Sequence, residues 1–303
     1  MNATFMNAPI ETPSAWADAQ RMRVEDALSR WVPREAPAGL GEVMRYAVLD
    51  GGKRLRPLLV LAAAEAVGAG QDEAALRAAA AVELIHAYSL VHDDMPCMDD
   101  DALRRGKPTV HVQYGEAAAM LGGDAMQALA FEVLVPDAGV APALQAHLVR
   151  LLTRASGSDG MAGGQAIDLA SVGVALTEPA LRDMHRRKTG ALLQASVMMG
   201  AACGKTGPAS LAALSRYGAA LGLAFQIVDD ILDVTQASEA LGKTAGKDLD
   251  QNKPTYVTVL GLQEAARQAR ALRDEALAAL AASGLSDTHL LDWLAHLVVD
   301  REY

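Results

Sequence analysis

Two clusters of aspartates stand out as residues that could do chemistry. Each follows an apolar run with helical spacing, in HDDMPCMDDDALRRGKP (92–108) and in FQIVDDILDV (225–234). Carboxylates this close repel one another and are rarely buried without a partner, so each cluster needs a cation or a basic ligand. A single acidic run is as often a solvated helix end, but two such clusters make that explanation much weaker. The candidate metal ligands are Asp93, Asp94, Asp99, Asp229, Asp230 and Asp233.

The ligand type favours a hard cation. The candidate ligand set contains no histidine or cysteine. Oxygen-only ligands suit Mg²⁺, which is typically shared between carboxylates and substrate phosphates. Asp229 and Asp233 are four residues apart and share one face of a helix. No glycine-centred twelve-residue loop of the EF-hand type is present. The clusters therefore predict a magnesium site that works on a phosphate-bearing ligand.

Short basic groups occur elsewhere and indicate where phosphates could bind. Arginine can grip phosphate oxygens with two hydrogen bonds, and lysine supplies a point charge. Each group alone could be a solvated surface run, but together they are hard to dismiss. The GxxxxGK[ST] sequence of nucleotide-binding P-loops is absent. The basic groups are Lys53, Arg54 and Arg56 in GGKRLRP; Arg104 and Arg105; Arg187 and Lys188 in RRKTG; and Lys243, Lys247 and Lys253 in GKTAGKDLDQNK.

The composition excludes several classes of protein. The chain has 303 residues, of which 51% are hydrophobic and 4% aromatic, and its net charge is −10. It can bury a sizeable core, and its negative charge argues against nucleic acid as a partner. Cys97 and Cys203 form no zinc or disulfide pattern. The N-terminus lacks the pattern of a signal peptide, and the least polar stretch, 191–204, falls short of a membrane span, so we expect a cytoplasmic protein.

The elements that position these residues are predicted to be helices. Alanine and leucine dominate from Trp16 onward, and windows such as 74–92, 211–232 and 264–282 each carry an apolar stripe at helical spacing. Glycine and proline breaks divide the chain into eight to ten helices. We expect an all-α protein, with a loose lead-in over 1–14 and a single domain over 15–303.

Six motifs, in order, give the chain a resemblance to a known family. GGKRLRP, HDDMPCMDDDALRRGKPTVH, GGQAIDL, HRRKTGALL, LGLAFQIVDDILDV and GKTAGKDLDQNKPTYV resemble the motifs of the trans-polyprenyl diphosphate synthases, most closely the bacterial farnesyl type. The resemblance implies the all-α isoprenoid-synthase fold around a deep cavity, usually in a homodimer. It implies a Mg²⁺-dependent prenyltransferase that joins isopentenyl diphosphate to dimethylallyl or geranyl diphosphate.

The resemblance also implies roles for single residues. Asp93 and Asp99, with Asp229 and Asp233, would carry three Mg²⁺ ions that hold the allylic diphosphate. His86 could otherwise be an ordinary core histidine. The implied diphosphate ligands are Arg104, Lys188 and Lys243; the implied seat for isopentenyl diphosphate is Lys53, Arg56, His86 and Arg105; Lys188, Thr189 and Gln226 would lie beside the developing carbocation, and Lys253 would belong to a closing loop.

Product length and rival functions depend on a few further features. Tyr88, next to Ser89, lies five positions before Asp93, which is about 7.5 Å along a helix, where it could stop a growing prenyl tail. The resemblance then implies the C15 product, with a geranylgeranyl or geranyl diphosphate synthase as alternatives. A class I terpene cyclase is less favoured, because the second motif is DDILD and aromatic residues are few. A non-catalytic subunit is disfavoured, because both aspartate motifs are intact.

Overall fold

The computed structural model describes residues 12–49, 51–235 and 254–300. These residues form fourteen α-helices, and the single antiparallel hairpin among them pairs β1 (Leu103–Arg104) with β2 (Lys107–Pro108). The all-α prediction is confirmed. In chain order the helices are α1 (Pro13–Trp31), α2 (Leu40–Val48), α3 (Leu55–Ala66), α4 (Glu73–Asp93), α5 (Val110–Tyr114), α6 (Glu116–Val133), α7 (Pro142–Ser156), α8 (Met161–Ala170), α9 (Glu178–His185), α10 (Ala191–Ala202), α11 (Pro208–Thr235), α12 (Tyr256–Leu260), α13 (Leu262–Ala281) and α14 (His289–Val299).

The number of helices exceeds the eight to ten expected from the sequence. Two of the additional helices, α5 and α12, have only five residues each and are too short to show a periodic apolar face. Helix α1 begins at Pro13, where the side chain of Thr12 accepts a hydrogen bond from the backbone of Ala15. Helix α1 thus begins two residues before the predicted boundary between residues 14 and 15, and that boundary stays a prediction.

One buried cluster runs through the described helices, from Trp16 in α1 to Val298 in α14. Helix α4 carries a run of buried alanines, and such small side chains let neighbouring helices approach closely. At the C-terminal side, the hydroxyl of Tyr217 in α11 donates to the carbonyl of Leu291 in α14 over 2.7 Å. These contacts fix α4 and α11, the two helices that carry the aspartate clusters.

Two helices meet the length and composition of a membrane span, contrary to our expectation that no stretch does. They are α4 and α11, and 78% and 61% of their most apolar windows are buried inside the protein. Charged residues inside both helices, such as Glu83 in α4 and Arg216 in α11, made the uncharged stretch 191–204 the least polar one in the sequence. Burial against other helices identifies both as core helices of this fold.

The motif RRKTG folds into one turn of π-helix, Arg186–Gly190, between α9 and α10. Two glycines, one on α8 and one on α11, allow the turn to pack closely against these helices. A Cβ at Gly164 of α8 would lie 2.1 Å from the backbone nitrogen of Lys188, and one at Gly222 of α11 would lie 2.7 Å from Cα of Gly190. Isolated π-helical turns occur frequently at functional sites. This one places Lys188 and Thr189 between α8 and α11.

Candidate active site

A cavity of about 670 Å³ lies among α4, α8, the π-helical turn and α11. Carboxylates from both clusters line it, together with basic, neutral polar and apolar side chains. The structure thus brings together two motifs that are far apart in sequence. The predicted site residues that line the cavity are Arg56, His86, Tyr88, Ser89, Asp93, Asp99, Arg104, Arg105, Lys188, Thr189, Gln226, Asp229, Asp230 and Asp233.

Lys188 is paired with an aspartate that we had not singled out. Its Nζ lies 2.5 Å from Oδ2 of Asp168 in α8, and the Asp168 side chain is only 6% exposed. Burial alone would lower the pKa of Lys188, but the nearby carboxylates of Asp168 and Asp93 raise it above its ordinary value. Lys188 therefore stays a cation at the cavity wall.

A chain of hydrogen bonds links the π-helical turn to α11 and α12. The hydroxyl of Thr189 donates to Oε1 of Gln226 over 2.7 Å, and Nε2 of Gln226 donates to Oδ1 of Asp230 over 3.0 Å. The backbone N–H of Tyr256 donates to Oδ2 of Asp230 over 2.8 Å. Both oxygens of Asp230 thus accept hydrogen bonds within the protein, and its carboxylate is nearly fully buried. This geometry favours a positioning role for Asp230 over the metal-ligand role expected from its motif.

Asp94 does not line the cavity, contrary to its expected role as a metal ligand. It is buried, and the Arg104 guanidinium holds it with contacts of 2.5 Å and 2.8 Å. Burial would lower the pKa of Arg104, but Asp94 raises it. Adjacent residues at the end of α4 point to different surroundings, so only Asp93 of this pair faces the cavity. Arg104 reaches the cavity wall while bound to Asp94.

The three cations of the basic group GGKRLRP lie in different surroundings. Arg54 is buried and forms 2.6 Å ion pairs with Glu25 and Glu83, so it is structural and not a phosphate ligand. Lys53 is exposed and does not line the cavity, contrary to its expected place in a substrate seat. Only Arg56 of the three lies on the cavity wall. Spacing alone could not separate these roles.

The Arg105 side chain lines the cavity and packs against the glycine pair at 51–52. Its guanidinium donates to the carbonyl of Gly51 over 2.7 Å, and a Cβ at Gly52 would lie 3.0 Å from the guanidinium carbon. Gly52 has φ +123°, which also favours glycine. His86 lies on the same wall, and burial and the nearby cations Arg56 and Arg105 hold its pKa well below the ordinary value. His86 is therefore a neutral group in a positive environment.

Burial raises the pKa of Asp93 to about 6, and Asp99 adds to the increase while Lys188 opposes it. Crowding of carboxylates is therefore costly without a cation. Among the residues that the structure describes, no three His, Cys, Asp or Glu side chains form a ready metal cage. Mg²⁺ is commonly held by one or two carboxylates together with substrate phosphates, so carboxylates spread around one cavity suit it.

Sequence reasoning missed several polar cavity residues, and three of them stand out. Asp168 is one, and the others are Gln165 and His185, whose buried side-chain polar atoms have no hydrogen-bond partner among the described residues. Burial, with a smaller contribution from the charge of Lys188, lowers the pKa of His185 to about 3. The quoted motifs GGQAIDL and HRRKTG contain all three, but nothing in their local spacing separates them from ordinary helix residues. Predicted residues Lys243 and Lys253, and Lys247, lie outside the described residues.

Comparison with known proteins decides the family. The model of the polyprenyl synthetase family matches residues 37–284. The chain is a member of the polyprenyl synthetase family. The resemblance to bacterial farnesyl diphosphate synthases is also confirmed: the Escherichia coli enzyme is 47% identical over 268 residues, covering 86% of this chain and 88% of its own. A geranylgeranyl pyrophosphate synthase from Capsicum annuum is 48% identical over 255 residues, covering 84% of this chain and 69% of its own.

A solved structure shows the same fold. The geranyltransferase of Helicobacter pylori, crystallised with magnesium and isoprenyl diphosphate, superposes with a TM-score of 0.84 at 34% identity, over 97% of this chain and 98% of its own. This polyprenyl synthetase family is Mg²⁺-dependent. The oxygen-only donors on α4 and α11 fit that requirement. The chain is accordingly a prenyltransferase of this family.

Proposed function

We propose that this enzyme condenses isopentenyl diphosphate head-to-tail with dimethylallyl and geranyl diphosphate to give farnesyl diphosphate and pyrophosphate. The observation that carries the proposal is the meeting of the two aspartate motifs with Lys188, Thr189 and Gln226 at one cavity. The product length is supported by Tyr88, which lines that cavity and is 9% exposed. The bacterial farnesyl diphosphate synthase relatives support the same product.

The chemistry requires the allylic C1–O bond to break, leaving a carbocation and pyrophosphate. When bound by Asp93, Asp99, Asp229 and Asp233, Mg²⁺ would supply positive charge that neutralises the diphosphate, with three ions proposed from the family resemblance. Lys188 adds a fixed cation, and Asp168 keeps its ammonium in place. Electrostatic stabilisation of a leaving group by prearranged charges is a large catalytic term. No nucleophilic side chain is needed.

The new bond forms when the C3–C4 double bond of isopentenyl diphosphate attacks allylic C1. A proton then leaves C2, and released pyrophosphate accepts it. On the cavity wall lie Arg56, Arg105 and His86, as hydrogen-bond donors for the diphosphate group of isopentenyl diphosphate. The hydroxyl of Thr189 and the amide of Gln226 hold each other and place oxygen dipoles near the cationic carbon. Apolar neighbours such as Phe225 and Met161 exclude water, which would capture the cation.

A geranylgeranyl diphosphate synthase is the second candidate. The Capsicum annuum relative carries that name, and so does the Pyrococcus horikoshii structure that superposes with a TM-score of 0.87 at 32% identity over 96% of this chain and 98% of its own. The experiment is to supply Mg²⁺, isopentenyl diphosphate and each allylic starter, and to size the products by chromatography. We expect C15 as the main product and a shift to C20 or longer in Tyr88→Ala. A C20 main product in the unaltered enzyme would favour the second candidate.

A homodimer in the cytoplasm completes the proposal. Helices α5 and α6 expose Val112, Met120 and Leu121 by 52%, 40% and 57%, and a second copy could cover this apolar surface. Size-exclusion chromatography with light scattering should give twice the chain mass. A monomer at micromolar concentration would contradict the dimer. The Capsicum annuum relative is named as chloroplastic, so fractionation of the source cell is the test of location.

A further inference from the structure

The hydrogen bonds that reach Asp230 run in one direction. A carboxylate only accepts hydrogen bonds, and Oδ2 of Asp230 accepts one from the backbone N–H of Tyr256 over 2.8 Å. Its Oδ1 accepts a second one from Nε2 of Gln226 over 3.0 Å, so the amide oxygen of Gln226 faces the other way. That amide oxygen accepts a hydrogen bond from the Thr189 hydroxyl group over 2.7 Å. Asp230 therefore decides which end of the Gln226 amide faces Thr189.

The direction of these bonds determines what the Thr189 hydroxyl group presents to the cavity. A hydroxyl group has one hydrogen atom and two lone pairs on its oxygen. Gln226 engages the hydrogen atom, so the partial negative charge of the oxygen is left for a ligand in the cavity that Thr189 lines. If the Gln226 amide were reversed, its N–H group would donate to Thr189 and the hydroxyl hydrogen would turn away from Gln226. A hydroxyl hydrogen that faces the cavity repels a cation.

We propose that Asp230 is a positioning residue for prenyl transfer, which fixes the direction of the Gln226 amide and so keeps the Thr189 oxygen available to the developing allylic cation. The inference rests on the proposed function, in which Thr189 lies beside that cation. Dipoles stabilise a developing charge most when they are already oriented before the reaction. Asp230 is 3% exposed and accepts two hydrogen bonds within the protein, so it acts through Gln226 and Thr189.

The test compares Asp230→Asn, Asp230→Ala, Thr189→Val and the combination of Asp230→Asn with Thr189→Val. In Asp230→Asn the side-chain oxygen stays with the N–H of Tyr256, so the new NH₂ group faces Gln226 and reverses its amide. In Asp230→Ala no side-chain group at this position donates to Gln226. Asp137→Asn is the control, at an exposed aspartate between α6 and α7. The kcat and KM with geranyl and isopentenyl diphosphate, and the Tm, are measured for every variant.

We expect Asp230→Asn to lower kcat at least tenfold and to leave the KM for geranyl diphosphate within twofold of the unaltered enzyme. Asp230→Ala should lower kcat less than fivefold, although it loses more side-chain volume and should have the lower Tm. A merely structural role predicts the reverse order of kcat, because asparagine keeps the volume of aspartate, and that order would overturn the inference. Asp137→Asn should keep kcat within twofold.

The combined variant tests whether Asp230 acts through Thr189. Once Thr189→Val has removed the hydroxyl group, adding Asp230→Asn should change kcat less than threefold. A tenfold loss in that background would overturn the inference, because Asp230 would then act by another route.

A binding measurement separates the positioning role from that of a metal ligand. Each variant is titrated with inorganic pyrophosphate in the presence of Mg²⁺ in a calorimeter. The Kd for Asp230→Asn should stay within twofold of that of the unaltered protein, while Asp229→Asn should bind at least tenfold more weakly. Equal weakening in the two variants would assign Asp230 to the metal and overturn the inference.

The results distinguish the inference from the proposed function. If the unaltered enzyme makes C20, the C15 proposal fails, but the ratios of kcat still show whether Asp230 acts through Thr189. If the unaltered enzyme makes C15 and Asp230→Asn keeps its kcat, the C15 proposal stands and the inference fails.

Discussion

The ammonium group of Lys188 lies 2.5 Å from the carboxylate of Asp168, across the contact between the π-helical turn and α8. The pair is a polar link between α8 and the turn that carries Lys188 and Thr189. Breaking one side of a buried pair is costly because the remaining charge loses its partner. The pair therefore supports both the stability of the site and the position of its cation.

Lys188→Met should destabilise the protein by roughly 3 kcal/mol, because Asp168 would remain buried without its cation. Replacing both residues, as Lys188→Met with Asp168→Leu, should restore most of that stability without restoring activity. Urea unfolding and the rate of pyrophosphate release measure the two effects. If Lys188→Met loses activity but keeps the stability of the unaltered protein, the pair is not a structural link.

Arg54 and Arg56 should differ in what they support, although they are two residues apart. Arg54→Ala should lower the free energy of unfolding by roughly 3 kcal/mol, because it leaves the buried Glu83 unpaired. Arg56→Ala should mainly raise the KM for isopentenyl diphosphate, because its side chain lines the cavity. Unfolding curves and steady-state kinetics of both variants test this contrast. A large KM effect with normal stability in Arg54→Ala would contradict our assignment.

His185 should make the protein sensitive to acid. Its pKa falls from 6.5 in the unfolded chain to about 3 in the folded protein, so the unfolded state binds more protons between these values. As far as His185 is concerned, the free energy of unfolding has its full value above pH 6.5 and decreases as pH falls toward 3. At pH 5 the loss is about 2 kcal/mol.

The variant for this prediction is His185→Phe, which keeps a ring against Tyr256. Thermal unfolding from pH 7.5 to 4.5 should show a smaller decrease in Tm for His185→Phe than for the unaltered protein. Parallel decreases in the two proteins would exclude His185 as the source of the acid sensitivity.

Close packing around the π-helical turn should not tolerate added side-chain atoms. Gly222→Ala would place a Cβ 2.7 Å from Cα of Gly190, so we expect a loss of roughly 1 to 3 kcal/mol and a lower kcat. Gly207→Ala is the matched control, because nothing lies within 4 Å of a Cβ at that position. Chemical unfolding and product formation should separate the variants clearly. Similar stability and product formation in Gly222→Ala and Gly207→Ala would show that the turn can move away from α11.

The sequence predicted those parts of the site whose signal is local. Asp93 and Asp229 were found because acidic clusters after apolar helices are unusual at any position. Asp168 was missed because it is a single aspartate whose partner, Lys188, is twenty residues away. Asp94 resembled Asp93 in type and spacing, but its environment depends on Arg104 folding back onto it. Pairing between distant residues is a property of the packed helices, so sequence spacing could not show it.

The most direct test of the account measures pyrophosphate release and product size together, with geranyl and isopentenyl diphosphate as substrates. With Mg²⁺ present, we predict one pyrophosphate for each farnesyl diphosphate formed, and a loss of both at least a hundredfold after chelation or in Asp229→Asn. Failure to release pyrophosphate or form any condensation product with Mg²⁺ and either starter would contradict the account. Pyrophosphate release that continues unchanged after chelation of Mg²⁺ would also contradict the account.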